Sequence, residues 1–288
     1  MSYYSGKFEI NTNLTSLMLQ NQFNSLSSDI IKLMERVSTQ QRVNSASDDP
    51  SGSSLITGYN AQISSMQTAQ DNCSKGIALL NTAKSGLTSI QDEIKKMKGY
   101  LEIARDSTKS TTQKEEANTK FLASIAAINS YATDTNYNGI KLLDGTNSAT
   151  GKVVIQVDIK NDASSRLDIS SALGAADATT LGINSLKIYD GSTIDLDAVE
   201  TALNDASSTI TSKLSTVGNF ATTLDSNRSR LANQAKYLGE ARDVILKADT
   251  ASDTAELTRL QILQQSTATL LQQANSSSAL AITLITRY

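Results

Sequence analysis

Residues 260–286 read LQILQQSTATLLQQANSSSALAITLIT, and none of these side chains is charged. Apolar and small residues recur there in alternating steps of three and four, the a/d heptad of a coiled coil. At about 1.5 Å per residue, the stretch forms a helix about 40 Å long. We therefore predict a helix that packs along a partner helix. Its heptad positions are Leu260, Leu263, Thr267, Leu270, Ala274, Ser277, Ala281 and Leu284.

A second uncharged stretch, residues 10–28, lies towards the other end of the chain. It opens an N-terminal helix whose apolar residues also follow steps of three and four. Each end therefore has an apolar stripe that it cannot bury alone, and we expect the two ends to pair with each other. The N-terminal stripe contains Leu19, Phe23, Leu26, Ile30, Leu33 and Val37, and Ile10, Leu14 and Leu17 extend its apolar face upstream with an offset around Asn21.

An uncharged chain end has three possible states: a membrane span, a disordered tail, or a helix enclosed by protein. Repeated Gln, Asn, Ser and Thr argue against the membrane, because unpaired amides are costly in hydrocarbon. Disordered segments rarely keep a leucine heptad over several turns. A helix enclosed by other helices gains from lacking charge, because buried charges must be desolvated. We therefore predict that other subunits enclose the paired ends, with an ordinary intramolecular helix pair as the alternative.

Between the two ends, the sequence predicts helices, a β-rich patch and helices again. Pro50, the only proline, separates the N-terminal helix from a longer helix that reaches about Thr108. A further helix spans residues 114–131, and the helical pattern returns after Ser192. The inward residues of the helix over 114–131 are predicted to be Phe121, Leu122, Ile125 and Ile128.

The β-rich patch begins near a Tyr-Asn-Gly turn signal at residues 137–139. Apolar residues at 153, 155, 157 and 159 alternate with more polar neighbours, which is typical of a half-buried strand. Residues 166–169 and 186–189 are predicted to be short strands as well. The Gly, Asp, Ser and Thr content of this patch indicates turns and surface loops.

These patterns predict a mainly α fold: an elongated antiparallel helical bundle or coiled coil from both chain ends, with a small β-hairpin region in the middle. Residues 1–47 and 252–288 form a terminal paired-helix domain. Residues 48–140 and 192–251 form an outer helical bundle, with residues 141–191 as its β-rich insertion. The residues predicted to pack subunits together are Leu14, Leu17, Leu19, Phe23, Leu26, Ile30, Leu33, Leu260, Leu263, Leu270, Leu271, Ala274 and Leu284.

Composition argues against several classes of function. The chain has no histidine and a single cysteine, Cys73, so it cannot build a Ser/His/Asp triad, a Cys/His zinc site or an internal disulfide. Asp48 and Asp49 are interpreted as helix caps, and no metal or cofactor is assigned. A net charge of -3 and no basic run argue against nucleic acid. Residues 1–9 lack the pattern of a secretory signal peptide, so we expect secretion without one.

Several separated motifs resemble bacterial flagellin. Residues 10–13 (INTN) with 16–17, and residues 42–46 (RVNSA) followed by Asp48, Asp49 and Gly52, resemble its N-terminal signature. Residues 136–139 (NYNG) with 141–145 (KLLDG) resemble the motif that closes its conserved helical part. Residues 261–265 (QILQQ) and 271–275 (LQQAN) resemble the signature of its terminal helix.

The resemblance implies a structural, non-enzymatic subunit that self-assembles into the extracellular flagellar filament for swimming motility. It implies paired terminal helices that line the filament and export through the flagellar type III channel. The implied partners are copies of the same chain, the export apparatus with its chaperone, and the hook-junction and cap proteins. Neither nucleic acid nor membrane insertion is expected. The short segment between Gly145 and Ser192 resembles a minimal form without large outer domains.

Two alternatives stay open at this point. Pro50 stands where many flagellins have alanine, and proline there is also familiar in the related hook-filament junction proteins. Gly52, the Asn-Thr-Asn start and the Gln-rich end favour the filament subunit instead. The other alternative is a secreted helical binding module that acts as a monomer.

The resemblance also bears on innate immune recognition. Flagellins that the flagellin-sensing Toll-like receptor recognises carry an arginine-bearing helix segment, and residues 95–103 (KKMKGYLEI) correspond to it here. Lysine cannot reproduce the planar fork of arginine, so we expect weak or absent recognition.

Overall fold

The structure is a computed structural model that describes residues 13–146, 152–160, 162–191 and 193–285. For residues 278 and 281–285 it describes the backbone alone. The predicted mainly α class is confirmed, because most of the described residues are helical. The five long helices in the described part are α1 (Leu14–Thr39), α2 (Pro50–Arg105), α3 (Thr111–Asp134), α4 (Leu196–Leu246) and α5 (Thr250–Ile285).

The chain forms two compact units. The first unit contains Met1–Asn60 and Leu238–Tyr288, and the second contains Ala61–Tyr237. Helices α2 and α4 each contribute residues to both units. Helices α1 and α5 therefore belong to one unit, as the apolar stripes predict.

In the first unit, α1 packs against α5. Helix α1 begins after Asn13, whose side chain accepts a 3.0 Å hydrogen bond from the backbone N–H of Ser16 and so caps the helix. It ends at Thr39, and the C-cap residue Gln40 adopts the left-handed conformation with φ of 57°.

Beyond α1, the chain pairs with the segment that joins α4 to α5. The backbone N–H of Arg42 donates to the carbonyl of Leu246 at 2.7 Å, and that of Ala248 donates to Gln40 at 3.1 Å. The guanidinium of Arg42 also donates to the Ile245 carbonyl at 3.0 Å. This antiparallel bridge ties the end of α1 to the start of α5.

The start of α2 follows the capping prediction. The Gly52 N–H donates to the side chain of Asp49 at 2.8 Å, and Pro50 occupies the first helical position, where no N–H is needed. This hydrogen bond is the main reason why the pKa of the Asp49 carboxyl lies below its ordinary value. Hydrogen bonds from Ser45, its backbone N–H first, lower the pKa of Asp48 in the same way.

The core of the second unit is built mainly from α2, α3 and α4. Gly76 on α2 lies so close to Ile155 and Leu224 that a Cβ there would collide with both. Arg105 ties the end of α2 to the start of α4 through Glu200, at 2.6 Å, and Asp197, at 2.5 Å. The largest fully buried side chains include Phe121, Leu80, Leu87, Ile90, Ile94, Met97, Leu101 and Ile128.

Two antiparallel strand pairs lie in the middle of the sequence. Strands β1 (Asn136–Tyr137) and β2 (Ile140–Lys141) pair across Asn138 and Gly139. Both turn residues have positive φ, 49° and 81°, which is the conformation that an Asn-Gly hairpin turn adopts. Strands β3 (Val154–Gln156) and β4 (Arg166–Asp168) form the second pair. The predicted β-hairpin region is therefore confirmed.

Three local predictions were wrong. Leu122 is 40% exposed, because the inward face of α3 passes through Phe121 and Ser124 instead. Residues 186–189 form no strand, since the side-chain amide oxygen of Asn118 accepts the N–H groups of Ile188 and Tyr189 in place of a neighbouring strand. The strand that begins near residue 153 ends at Gln156, and Ile159 beyond it is exposed.

Candidate self-association surface on the terminal helix pair

The centre of the first unit is an apolar cluster between α1 and α5. Leu26, Ile30 and Leu33 on α1 meet Leu260 on α5, and all four side chains are buried. Leu257, one turn before Leu260 on α5, packs against the same cluster. The stripe predicted on α1 is confirmed over this stretch, and Leu19, Phe23 and Val37 continue it as half-buried residues.

The register of the α5 stripe differs from the predicted heptad. After Leu260, the inward positions continue with a step of four rather than three. Leu263 and Leu270 are consequently exposed, whereas half-buried Gln264 and Leu271 occupy the seam. Both stripes obey heptad spacing, so spacing alone does not distinguish between them. The seam positions of α5 are Asp253, Leu257, Leu260, Gln264, Thr267, Leu271 and Ala274.

Amides and hydroxyls pair across the uncharged part of the seam. The Gln264 side-chain N–H donates to the Ser27 hydroxyl at 2.9 Å, and the Ser16 hydroxyl donates to Asn275 Oδ1 at 2.7 Å. The Asn13 amide donates to the carbonyl of Ala274 at 3.0 Å. From Ser27 to Ser16 the residue numbers on α1 decrease, whereas from Gln264 to Asn275 those of their partners on α5 increase. The two helices are therefore antiparallel. These bonds satisfy polar groups without introducing charge.

One ion pair crosses the same seam at its charged end. Arg36 Nη2 lies 2.9 Å from Asp253 Oδ1. Within the described residues, Arg36 Nε and Asp253 Oδ2 are buried and lack a hydrogen-bond partner. The pair is therefore partly desolvated and incompletely satisfied.

The faces of α1 and α5 outside the seam expose large apolar side chains. Leu14 and Leu17 on α1 are 62% and 49% exposed, and Leu263 and Leu270 on α5 are 39% and 52% exposed. The sequence pattern predicts all four as packing residues. Within the described part of one chain, each keeps more than a third of its surface exposed, so these side chains are available to another molecule.

The thirteen predicted packing residues thus fall into separate groups. Eight of them occupy the intramolecular seam, four lie on exposed faces, and the side chain of Leu284 lies outside the described part. The seam group contains Leu19, Phe23, Leu26, Ile30, Leu33, Leu260, Leu271 and Ala274.

Further exposed apolar residues on the two helices were missed by the sequence prediction. They lie off the leucine stripes, so a search for a single stripe overlooks them. Three of them, Met18, Ile262 and Leu280, lie within the uncharged stretches, where a count of apolar residues could have found them. The missed residues are Met18, Ile31, Met34, Ile262 and Leu280.

The same described part of the chain offers little for other kinds of site. It contains no group of three or more Asp, Glu, Cys or His side chains arranged to hold a metal ion. None of its helices combines the length and the apolar character that crossing a membrane requires. Burial raises the pKa of the Cys73 thiol, which disfavours its reactive thiolate form.

Comparison with known protein families gives two matches. The model of the bacterial flagellin N-terminal helical region matches residues 10–148, and that of the bacterial flagellin C-terminal helical region matches residues 196–285. Together the two models cover most of the chain. They include α1, α2 and α3 on one side and α4 and α5 on the other.

Among the known proteins that resemble this chain are two flagellins and a putative flagellar hook-associated protein. A flagellin of Listeria innocua is 29% identical, over 96% of this chain and 99% of its own length. A flagellin of Halalkalibacterium halodurans is 26% identical, over 88% of this chain and 91% of its own. A solved structure of a putative flagellar hook-associated protein from Vibrio parahaemolyticus matches with a TM-score of 0.58 at 16% identity, over 69% of this chain and 99% of that one. This last likeness concerns the fold alone.

Proposed function

Since this chain belongs to the bacterial flagellin family, we propose that its paired terminal helices, residues 1–47 and 252–288, line the core of the filament that it builds. Flagellins are structural proteins of the flagellar filament and not enzymes, so the chain is a structural subunit that self-assembles into this extracellular filament.

The observation that supports this role is the exposure of apolar side chains on the uncharged stretches of the helix pair, residues 10–28 and 260–286. Leu14, Leu17, Leu263 and Leu270 all lie outside the seam. Fully burying one leucine side chain contributes about 1.5–3 kcal/mol, so a few such residues on each subunit supply a substantial drive for association. The absence of charge on the same faces avoids the desolvation cost that would otherwise oppose burial.

The contacts within the pair suggest an order of events. The ends of one chain pair first, through the Leu26–Leu260 cluster and the polar contacts of Ser27 and Ser16. The faces left exposed then pack against the terminal helices of neighbouring subunits. In this arrangement residues 48–140 and 192–251 form the outer bundle, with residues 141–191 as its β-rich insertion.

The remaining partners follow from family membership. We propose export through the flagellar type III channel with an export chaperone, and contact with the hook-junction and cap proteins at the two ends of the filament. A strain that lacks the gene for this chain would then lose swimming motility unless another flagellin replaces it.

A comparison of two variants tests the assignment of the packing residues. The first lacks residues 260–288 and so loses both the seam and the exposed leucines of α5. The second keeps the seam but replaces Leu263 and Leu270 with glutamine. Electron microscopy of the concentrated proteins should show long filaments for the parent chain and dispersed particles for the truncated chain. The double glutamine variant should assemble poorly while retaining its helical content by circular dichroism.

A matched control replaces two exposed polar residues of the same helix, Gln265 and Gln272, with alanine. This control should assemble more readily than the double glutamine variant. Filaments from the truncated chain would contradict the role of the terminal helices altogether. Normal filaments from the double glutamine variant would contradict the role of the two exposed leucines.

A further inference from the structure

The ion pair between Arg36 and Asp253 lies in a seam that is otherwise apolar or uncharged. The Asp253 side chain is 10% exposed and that of Arg36 is 34% exposed. Their closest atoms are 2.9 Å apart, and each residue keeps one buried polar atom without a hydrogen-bond partner among the described residues. An apolar pair at this position would avoid that cost, so the ion pair is poorly explained by stability alone.

The uncharged part of the seam cannot by itself fix how the helices align. The α1 stripe repeats apolar residues with the heptad, and the α5 seam from Leu257 to Ala274 contains only apolar or uncharged residues. Sliding one helix by one heptad along this part therefore still places apolar or uncharged residues opposite the α1 stripe. Gln, Ser and Thr side chains can find new amide and hydroxyl partners after such a slip. Two copies of α1, or two copies of α5, could also pair through the same stripes.

A slip by one heptad breaks the ion pair in either direction. One direction moves Leu260 to the place of Asp253, so that Arg36 faces an apolar side chain. The other direction brings Asp253 opposite Asp29, a residue of the same charge. A pair of two α1 helices leaves Arg36 without Asp253, and a pair of two α5 helices leaves Asp253 without Arg36. Each error leaves a partly buried charge without its partner.

We propose that the Arg36–Asp253 pair determines both the register in which α1 and α5 align and the choice of α5 as the partner of α1. Polar residues buried in a coiled-coil seam are known to fix register at a cost in stability. The nearby backbone bridge between Gln41 and Lys247 continues the same antiparallel alignment. The pair thus selects the one alignment that leads into this bridge.

The inference deepens the proposed function, because it names the residues that make the terminal pair uniform among subunits. A disulfide reporter reads the register directly. Ser27 and Gln264 are hydrogen-bonded across the seam, so the reporter chain carries Ser27→Cys and Gln264→Cys. Buried Cys73 stays in place, and the parent chain without the reporter measures its background. Equilibration of dilute protein in a glutathione buffer gives the equilibrium yield of the disulfide within one chain.

Two changes to the ion pair are introduced into this reporter chain. The first, Arg36→Met with Asp253→Leu, replaces the pair with apolar residues. The second, Arg36→Asp with Asp253→Arg, reverses the charges. The apolar change should leave the helical content intact but reduce the equilibrium constant for the in-register disulfide about tenfold. The reversed pair should raise that constant at least about threefold above the apolar variant, because the two charges attract each other again, although each now opposes the dipole of its helix end.

Single-cysteine reporters test the choice of partner. Chains with Ser27→Cys alone or Gln264→Cys alone form disulfide dimers when like helices pair. The apolar change should increase these dimers and the reversed pair should suppress them. An apolar variant that keeps the parent equilibrium constant and forms no additional dimers would overturn the inference. If the apolar variant loses helical content, the reversed-charge variant provides the test in its place. Failure of the reversed-charge variant to raise the equilibrium constant for the in-register disulfide above that of the apolar variant would overturn the inference.

The reporter also distinguishes the inference from the proposed function. Register is measured in dilute protein before any filament forms. A parent chain that gives the in-register disulfide yet never assembles would contradict the proposed function and leave the register result in place. Filaments formed normally by a chain that lacks any register preference would contradict the inference alone.

Discussion

The side-chain amide of Gln264 donates a 2.9 Å hydrogen bond to the hydroxyl of Ser27, although the two residues lie 237 positions apart in the chain. This contact places Gln264, and not the neighbouring Leu263, in the seam between α1 and α5. A glutamine is therefore buried in part while a leucine beside it is exposed. The arrangement is explained if the exposed leucine contacts another subunit.

Replacement of buried Leu260 should destabilise the first unit far more than replacement of exposed Leu270. Leu260→Ala removes a member of the apolar cluster with Leu26 and should lower the free energy of unfolding by about 2–4 kcal/mol. Leu270→Ala should change it by less than about 0.5 kcal/mol while weakening assembly. Chemical denaturation of the monomers measures the first quantity and the critical concentration for assembly the second. Equal losses of stability would refute the register described for α5.

Protonation of Asp49 should weaken the start of α2. The folded pKa of this carboxyl lies below its ordinary value of 3.8, so its contribution is complete above that value and is lost as the pH falls through the folded pKa. Asp49→Ala should therefore be less stable than the parent at neutral pH, by a difference that shrinks below about pH 4. Thermal unfolding across a pH series measures this difference. Ser51→Ala, which removes no titrating group, should show no such trend.

A side chain larger than hydrogen at position 76 should disrupt the second unit. Gly76→Val places new atoms against Ile155 and Leu224 and should cost about 1–3 kcal/mol of unfolding free energy. At Gly99, on the same helix, an added Cβ would meet no neighbouring element within 4 Å. Gly99→Val should therefore be neutral or slightly stabilising, because valine is the better helix former. A comparable loss at both positions would contradict the assignment of the loss at position 76 to packing against Ile155 and Leu224.

The inward face of α3 can be tested with two adjacent residues. Phe121 is fully buried and Leu122 is 40% exposed. Phe121→Ala should lower the free energy of unfolding by about 3–5 kcal/mol, because it leaves a cavity in the core. Leu122→Ala should cost less than about 1 kcal/mol in the monomer. Urea denaturation of both variants provides the comparison, and a larger loss for Leu122→Ala would mean that the face is assigned incorrectly.

Much of the fold could be predicted from local signals that act over a few residues. Asp49 and Pro50 determine where α2 begins, because one caps the helix and the other suits its first position. Asn138 and Gly139 determine the first hairpin, because they adopt positive φ with little strain. The strand predicted over residues 186–189 failed, because Asn118, about 70 residues earlier in the sequence, accepts its N–H groups.

The sequence by itself determined that α1 and α5 are helical, that residues 10–28 and 260–286 carry no charge, and that each helix has an apolar stripe. Only the tertiary structure decided which of two neighbouring stripes on α5 meets α1. Leu263 with Leu270 and Gln264 with Leu271 both satisfy the heptad, so the choice depends on where α1 lies. That position depends on contacts between residues far apart in sequence, among them Arg36 with Asp253 and Gln41 with Lys247.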